Sequence, residues 1–166
     1  MLKVKLDNGA MFHSAHETDS GYDVCALGYR NIINGSVLEK ELIDENGDIS
    51  LYPHQTLMIT TGVYLELPEP VDKGDYIEIV EAQLRPRSGA SLKESKVAIL
   101  GTIDNAYRGE LGVILNNTSN DFIFIKKGER IAQVVINTIR KYKNIEIVNE
   151  LNDSNRGSNG FGSTGK

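Results

Sequence analysis

The sequence predicts an all-β protein, either a sandwich or a jelly-roll-like barrel. Apolar and polar residues alternate in several segments, as they do in strands that bury one face. Val, Ile and Tyr are frequent, Trp is absent, and 16 Gly suit tight turns between short strands. With 166 residues and 40% hydrophobic content, the chain fits one domain that can form its core without disulfides.

The first third of the chain is expected to hold two short strands and an exposed segment. Leu2, Val4 and Leu6 alternate with polar residues and predict a half-buried strand. Residues 22–27 predict a second strand, in which the single cysteine, Cys25, is interpreted as a small buried hydrophobe in a reducing compartment. Residues 30–47 are polar and acidic, which favours a surface hairpin or loop rather than a second domain.

The strongest alternation lies in the middle of the chain. Six residues share one face of a strand that ends at the turn signal Pro68-Glu69-Pro70, namely Leu57, Ile59, Thr61, Val63, Leu65 and Leu67. The pattern recurs at Leu111, Val113 and Leu115, and further strands are predicted at 76–84, 122–125, 130–139 and 144–148. Only residues 89–94 and 141–151 are candidates for helix, so helix content is expected to be small.

The charge of the chain limits its partners. A net charge of -5 argues against a duplex nucleic-acid binder, which needs many Lys and Arg to neutralise phosphates. No apolar run approaches the roughly 18 residues that span a bilayer, and the N-terminus lacks the apolar core of a signal peptide. We therefore expect a cytoplasmic protein that binds neither nucleic acid nor membrane, while a small anionic ligand stays compatible with locally gathered basic residues.

Three segments combine glycine with charged and hydroxyl residues, at 85–91, 101–109 and 156–165. Backbone N–H groups of glycine, hydroxyl donors and a guanidinium are the parts of a phosphate site. Each segment also has a plainer interpretation when taken alone. Residues 85–91 suit a surface turn, Asp104 suits a turn-forming aspartate, Tyr107 suits strand packing, and the polar tail from residue 152 suits a disordered terminus.

Taken together and in order, five motifs resemble those of the trimeric dUTP diphosphatase family. They are TDSGYDV at 18–24, PRSG at 86–89, GTIDNAYRGE at 101–110, KGERIAQ at 127–133 and RGSNGFGSTG at 156–165. The resemblance implies a jelly-roll-like distorted β-barrel that forms a homotrimer with shared active sites. It also implies two parts of the chain, a β domain at 1–151 and a flexible glycine-rich arm at 152–166 that closes the active site.

The activity implied by the resemblance is hydrolysis of dUTP to dUMP and pyrophosphate by water attack on the α-phosphorus. Asp104 would act as the general base. Ser88 would stabilise charge on the departing pyrophosphate, while Arg87 and the Gly89 amide bind phosphate oxygens. Mg²⁺ would bridge the triphosphate oxygens, with Asp23 contacting its bound waters.

The resemblance also assigns the nucleoside contacts. A β-hairpin would read uracil with Gly101, Thr102 and Ile103 on one arm and Gly112 on the other, and Tyr107 would pack under the deoxyribose and exclude a 2′-hydroxyl. In the arm, Phe161 would stack on uracil while Arg156, Gly162 and Ser163 reach the phosphates. Gln133 is a further candidate contact, and so is Arg130, for which a structural pairing with a carboxylate between strands is an equal alternative.

Two rival functions stay open from the sequence. A dCTP deaminase-related enzyme shares the fold and a similar arginine-serine motif. A regulatory protein on the same scaffold would instead dock a protein partner through the extra segments at 30–47 and 71–79, which the compact members of the family do not require.

Overall fold

The computed structural model describes residues 1–33, 36–38, 44–155 and 157–158. The described chain is built of strands with one short helix, which confirms the predicted all-β class. In chain order the elements are β1 (Lys3–Leu6), β2 (Tyr22–Cys25), β3 (Gly28–Ile33), β4 (Ser36–Leu38), β5 (Ile49–Leu51), β6 (Thr56–Glu66), β7 (Val71–Asp72), β8 (Tyr76–Pro86), α1 (Ser88–Glu94), β9 (Lys96–Ala98), β10 (Gly101–Ile103), β11 (Glu110–Asn117), β12 (Ile123–Ile125) and β13 (Arg130–Tyr142). Within this part of the chain, no helix is long and apolar enough to cross a membrane.

Two main sheets make up the fold. One has the order β4-β3-β6-β11-β9, with β1 also paired to β6. The other has the order β10-β8-β13-β2, with β7 also paired to β8, and β5 with β12 forms a separate two-stranded sheet. All strand pairs are antiparallel, and many neighbours in a sheet are distant in the sequence. The fold therefore depends on long-range pairing rather than on a chain of local hairpins.

Strands β6 and β11 supply the centre of the core. The six residues predicted to share one face of β6 are all at most 3% exposed, and the three alternating residues of β11 are fully buried. Val24, Leu84 and Val134 contribute from the other sheet to the same cluster. Because successive side chains of a strand point to opposite faces, this local alternation was sufficient to predict the buried face.

Two predicted strands behave differently in the single chain. Strand β1 forms, but it is not half-buried, since Val4 and Leu6 are 38% and 47% exposed on a strand paired only to β6 among the described strands. The strand predicted at 144–148 is wrong, because these residues are outside any strand and Ile147 is 95% exposed. The alternation is present there, but within the described chain no strand lies beside it. Of the two candidate helices, residues 141–151 are not helical, whereas residues 89–94 lie in α1.

The two extra segments extend the sheets. In the first, β3 and β4 pair from Asn31 with Leu38 to Ile33 with Ser36, which confirms a hairpin, while residues 34–35 and 39–43 lie outside the described residues. In the second, β7 pairs with the start of β8. The pairing of β8 with β13 also extends into this segment, where Tyr76 pairs with Tyr142. A contact between Lys143 and Asp72 holds the far end of this ribbon.

The buried thiol provides a test of the packing. Cys25 is 1% exposed, and burial raises the pKa of its thiol. Because the thiolate is the reactive form, we expect Cys25 to react slowly with a thiol reagent at pH 8 in the native protein and fully in guanidinium chloride. Absorbance after adding a disulfide-exchange chromophore measures both rates, and rapid stoichiometric reaction of the native protein would contradict the packing.

Candidate active site

A cavity of about 240 Å³ lies beside the turn that connects β10 to β11. Thr102 and Ile103 of β10, Asp104 and Tyr107 of the turn, and Gly112 of β11 all line it. The structure therefore brings together five of the residues for which the resemblance implies contact with the uracil base, the deoxyribose or the attacking water. Gly101 lies just outside this cavity and lines a neighbouring one with Arg85 and Thr102.

The two arms of this motif differ from the predicted hairpin. In the described chain, β10 pairs with β8 at the edge of one sheet, whereas β11 pairs with β6 in the other sheet. The arms are splayed because each is held by a different neighbour. An edge strand presents backbone N–H and C=O groups without a strand partner, so the cavity has a polar backbone rim at β10.

The turn at 104–109 is anchored by hydrogen bonds that fix the exposed Asp104. The Asn105 amide donates to the carbonyls of Pro68 (2.8 Å) and Val80 (2.9 Å). The Tyr107 N–H donates to the Asp104 carbonyl at 3.0 Å, and Arg108 donates to the Asn105 carbonyl at 2.6 Å. The carboxylate of Asp104 is thus accessible to water on a turn held by β8 and by the loop after β6. Asn105 was not among the site residues predicted from the sequence, although the Asp-Asn turn pair was an available signal for it.

A second group of predicted residues gathers around Asp23 on β2. Its two carboxylate oxygens meet the guanidinium groups of Arg87 at 3.2 Å and Arg130 at 3.0 Å. Arg87 also donates to the Arg130 carbonyl at 3.1 Å. The carboxylate of Asp23 is only 14% exposed, so the two arginines compensate a charge that has lost much of its water. Of the two alternatives for Arg130, this ion pair with Asp23 on the neighbouring strand agrees with a structural role.

Ser88 and Gly89 are exposed at the first turn of α1, directly after Arg87. Gln133 of β13 pairs with Arg85 and donates to the Pro86 carbonyl at 3.3 Å, two residues before Ser88. A Cβ added to the buried Gly21 would lie 2.6 Å from the Gln133 amide oxygen, so the first motif and Gln133 are in close contact and a larger residue at position 21 would displace the Gln133 amide. The first, second and fourth motifs therefore meet in one place, which is here called the arginine group and comprises Asp23, Arg87, Ser88, Arg130 and Gln133.

Lys96 on β9 pairs with Glu129, the residue before Arg130, and no pattern in the sequence predicted it. It is 8% exposed and pairs with Glu129 and, at 3.0 Å, with Glu94. Burial lowers the pKa of Lys96. The hydrogen bonds to Glu129 and Glu94 and the negative charges of these two residues together raise it more, so the pKa of Lys96 lies above the ordinary lysine value. Lys96 is therefore charged at neutral pH and ties the end of α1 to the turn before β13.

The cavity at Asp104 and the arginine group are separate within one chain. Ile103 pairs with Ala82, and β8 then runs four residues to Pro86, about 13 Å at 3.3 Å per residue. Asp104 lies beyond the first end of this span and Ser88 beyond the second. A general base must come within about 3 Å of the water that it activates. One chain alone therefore does not bring Asp104 and Ser88 to a single phosphate.

The remaining predicted residues are in the C-terminal arm. Arg156, Phe161, Gly162 and Ser163 lie outside the described residues, so the structure does not locate them.

Known proteins resemble this chain over most of its length. A family model described as dUTPase matches residues 45–165. The deoxyuridine 5'-triphosphate nucleotidohydrolases of Clostridium tetani and Clostridioides difficile are each 39% identical over 170 residues, covering 99% of this chain and 97% of either relative. A mutant dUTPase of Staphylococcus bacteriophage 80alpha, solved with dUpNHpp, has a TM-score of 0.76 at 28% identity and covers 100% of this chain and 99% of its own.

A further solved structure shows the fold alone. It is a mutant dUTPase of phage phi11 of S. aureus, 24% identical with a TM-score of 0.67, covering 90% of this chain and 97% of its own. In that protein a structural Mg(II) ion is coordinated.

The anchor of the turn can be tested through stability. Asn105→Ala leaves the Pro68 and Val80 carbonyls without the amide donor, so we expect the free energy of unfolding to fall by about 1–3 kcal/mol. Asn116→Ala is the control, because that half-buried amide donates to the Thr56 hydroxyl and, at 3.5 Å, to the Gln55 carbonyl, away from the turn, and should cost less than Asn105→Ala. Urea unfolding measures both, and equal midpoints for the two variants would show that Asn105 is not an anchor.

Proposed function

This chain belongs to the dUTPase family, and we propose that it hydrolyses dUTP to dUMP and pyrophosphate in active sites that are each completed by a neighbouring subunit. The family match and the curated relatives support the reaction, and the solved relatives support the jelly-roll-like β-clip fold. The observation that carries the shared site is the separation of Asp104 from Ser88 along β8. A homotrimer, the assembly proposed here, brings the Asp104 cavity of one subunit to the arginine group of another.

Exposed apolar residues support this assembly. Val4 and Leu6 on β1, together with Ile145 and Ile147 after β13, are 38% to 95% exposed in the single chain. Apolar surface of this kind is stabilised when another subunit covers it.

Asp104 is proposed as the general base. The fixed turn lets its carboxylate accept a proton from a water that attacks the α-phosphorus in line. The bond from that phosphorus to the bridging oxygen breaks, and pyrophosphate leaves. Because the turn is anchored through Asn105, the carboxylate needs little rearrangement before it acts.

The nucleoside is proposed to bind in the cavity beside the turn. Uracil presents a fixed pattern of donors and acceptors, and backbone groups at β10 and Gly112 can match it, whereas cytosine would leave buried polar groups unpaired. Tyr107 lines the same cavity and is proposed to pack under the deoxyribose, where it leaves no room for a 2′-hydroxyl. The cavity therefore accounts for selection of both base and sugar.

The arginine group is proposed to bind the phosphates. Asp23 and the Arg130 carbonyl hold Arg87 in place, so its guanidinium loses little freedom when it meets a phosphate. The hydroxyl of Ser88 and the N–H of Gly89 are exposed beside it, where they can donate to oxygens that gain charge as pyrophosphate departs. Gln133 is proposed as a further contact of the bound substrate.

Mg²⁺ is proposed as the cofactor, and the oxygen donor of Asp23 beside Arg87 fits it. When bound, the ion neutralises charge on the triphosphate oxygens. The Asp23 oxygens already accept bonds from two arginines, but each retains a lone pair for a metal-bound water. Asp23 therefore holds Arg87 and, as proposed, orients the hydrated ion.

Three further expectations complete the proposal. Residues 152–166 act as an arm that closes the site, with Phe161 on uracil and Arg156, Gly162 and Ser163 on phosphates. The protein is cytoplasmic, in keeping with its buried free thiol. A protein partner for the segments at 30–47 and 71–79 stays a prediction.

Replacement of the base tests the chemistry. We expect Asp104→Asn to lower kcat for dUTP by about 10²–10⁴-fold with little change in KM, because the amide cannot take the proton of the water. Pyrophosphate release from dUTP, dTTP, dCTP and UTP, with and without Mg²⁺, measures activity and selectivity. Ammonia release from dCTP would instead support the deaminase, and full activity of Asp104→Asn would exclude Asp104 as the base.

Mixing two inactive variants tests the shared site. Ser88→Ala and Asp104→Asn subunits are unfolded together and refolded at equal amounts. A site that takes Asp104 from one subunit and Ser88 from another is intact in about a quarter of random combinations, so about a quarter of wild-type activity should return. Each variant refolded alone is the control. Activity no higher than the mean of the two controls would place each site within one chain.

A further inference from the structure

Glu110, the first residue of β11, has both carboxylate oxygens engaged at the edge of the nucleoside cavity. Oε1 accepts from the Gly62 N–H at 2.8 Å, and Oε2 meets the Arg30 guanidinium at 3.2 Å. The Glu110 side chain is 15% exposed, whereas that of Arg30 is 51% exposed. The carboxylate is therefore a partly buried and fully committed group beside the site, and the proposed reaction does not use it.

The Glu110 carboxylate occupies an irregular point in the β6–β11 pairing. Glu110 pairs with Tyr64, but Gly112 pairs with Thr60, so the register shifts between them. Gly62 lies in this irregularity with a φ of 66°, and its N–H donates to the Glu110 side chain. The carboxylate thus satisfies a backbone donor at the irregularity. This hydrogen bond fixes the position of the start of β11 relative to β6, beside the cavity.

The position of Glu110 determines the position of Tyr107. The Tyr107 hydroxyl donates to the backbone carbonyl of Glu110 at 3.0 Å. The Tyr107 ring also lies against Gly109, where an added Cβ would overlap the hydroxyl and ring carbons. The ring is 47% exposed, so little else holds it in the single chain. A shift of the Glu110 backbone would therefore move the surface on which the sugar is proposed to rest.

We propose that Glu110 is a positioning residue for sugar selection, acting through Tyr107, and that Arg30 and the Gly62 N–H hold it in place. This inference rests on the proposed function, in which Tyr107 packs under the deoxyribose. In this proposal the Glu110 carboxylate acts through Tyr107 rather than by contact with substrate, because Gly62 and Arg30 engage both of its oxygens. Its effect is to keep the Tyr107 ring close enough to exclude a 2′-hydroxyl.

The same geometry separates this role from a general structural role. Asp104 has its own anchor, because Asn105 binds Pro68 and Val80 rather than Glu110. Loss of the carboxylate should therefore disturb sugar binding and leave the attack on phosphorus in place. The expected signature is a change in KM and in the discrimination against UTP, with kcat retained.

Two substitutions of Glu110 test the proposal. Glu110→Ala removes both contacts, and we expect the KM for dUTP to rise about tenfold, the preference for dUTP over UTP in kcat/KM to fall about tenfold, and kcat to stay within about twofold. Glu110→Gln keeps an acceptor for the Gly62 N–H but loses the charge that faces Arg30. It should show a smaller change in the same direction and serves if Glu110→Ala does not fold.

Two further variants serve as the positive and the negative control for the Glu110 substitutions. Gly109→Ala displaces the Tyr107 ring directly and should reproduce the loss of discrimination with Glu110 intact. Glu66→Gln removes an exposed carboxylate that pairs with Lys3 on the same sheet, and should match the wild type.

The outcomes are distinguishable. If the wild type hydrolyses dUTP and folded Glu110→Gln and Glu110→Ala keep its KM and its discrimination, the inference is overturned while the proposed function stands. A fall in kcat at constant KM also overturns it. If the wild type itself leaves dUTP intact, the proposed function fails first, and with it the premise of this inference.

Discussion

The antiparallel pairing of β6 with β11 is the constraint on which the rest of the molecule depends. The two strands place fully buried residues such as Ile59, Val63 and Val113 in one cluster. Burial of each such side chain contributes about 1.5–3 kcal/mol, so this pair holds the chain together in the absence of a disulfide. Because β11 begins at the end of the 104–109 turn, the same pairing also sets where the turn and its aspartate lie.

The connection between the two sheets turns this packing into a site. The chain leaves β8 of one sheet, forms α1 and β9, returns through β10, and then crosses to β11 of the other sheet. The crossing splays β10 from β11 and opens the cavity between backbone edges. It also carries Asp104 away from the end of β8, where Ser88 lies. In the proposed function, this geometry accommodates the flat base, and the phosphate chemistry then depends on a second subunit.

The carboxylates of the arginine group and of the Asp104 cavity have different surroundings. In the arginine group, Asp23 is enclosed by Arg87 and Arg130, which orients a guanidinium but commits the carboxylate. At the cavity, Asp104 is exposed and free of an ion pair among the described residues, while Glu110 takes the structural contacts. A base needs an available lone pair, whereas a positioning carboxylate needs occupied ones. As proposed, Asp104 acts as the base and Glu110 as the positioning carboxylate, so the two acids of the third motif divide these tasks.

The sequence by itself determined the elements and the residue chemistry, because strand alternation and motif composition are local properties. The buried face of β6 followed from it, residues 89–94 were a candidate helix, and the grouping of Thr102, Ile103, Asp104, Tyr107 and Gly112 followed from the resemblance to a known family. Pairing was decided only by the tertiary structure. Residues 144–148 alternate as a strand does but have no neighbour in the described chain, β10 and β11 separate into two sheets, and Glu110 meets residues 48 and 80 positions away. The physical reason is that a strand edge or a carboxylate is satisfied by whichever partner the fold brings to it, and a linear pattern does not specify that partner.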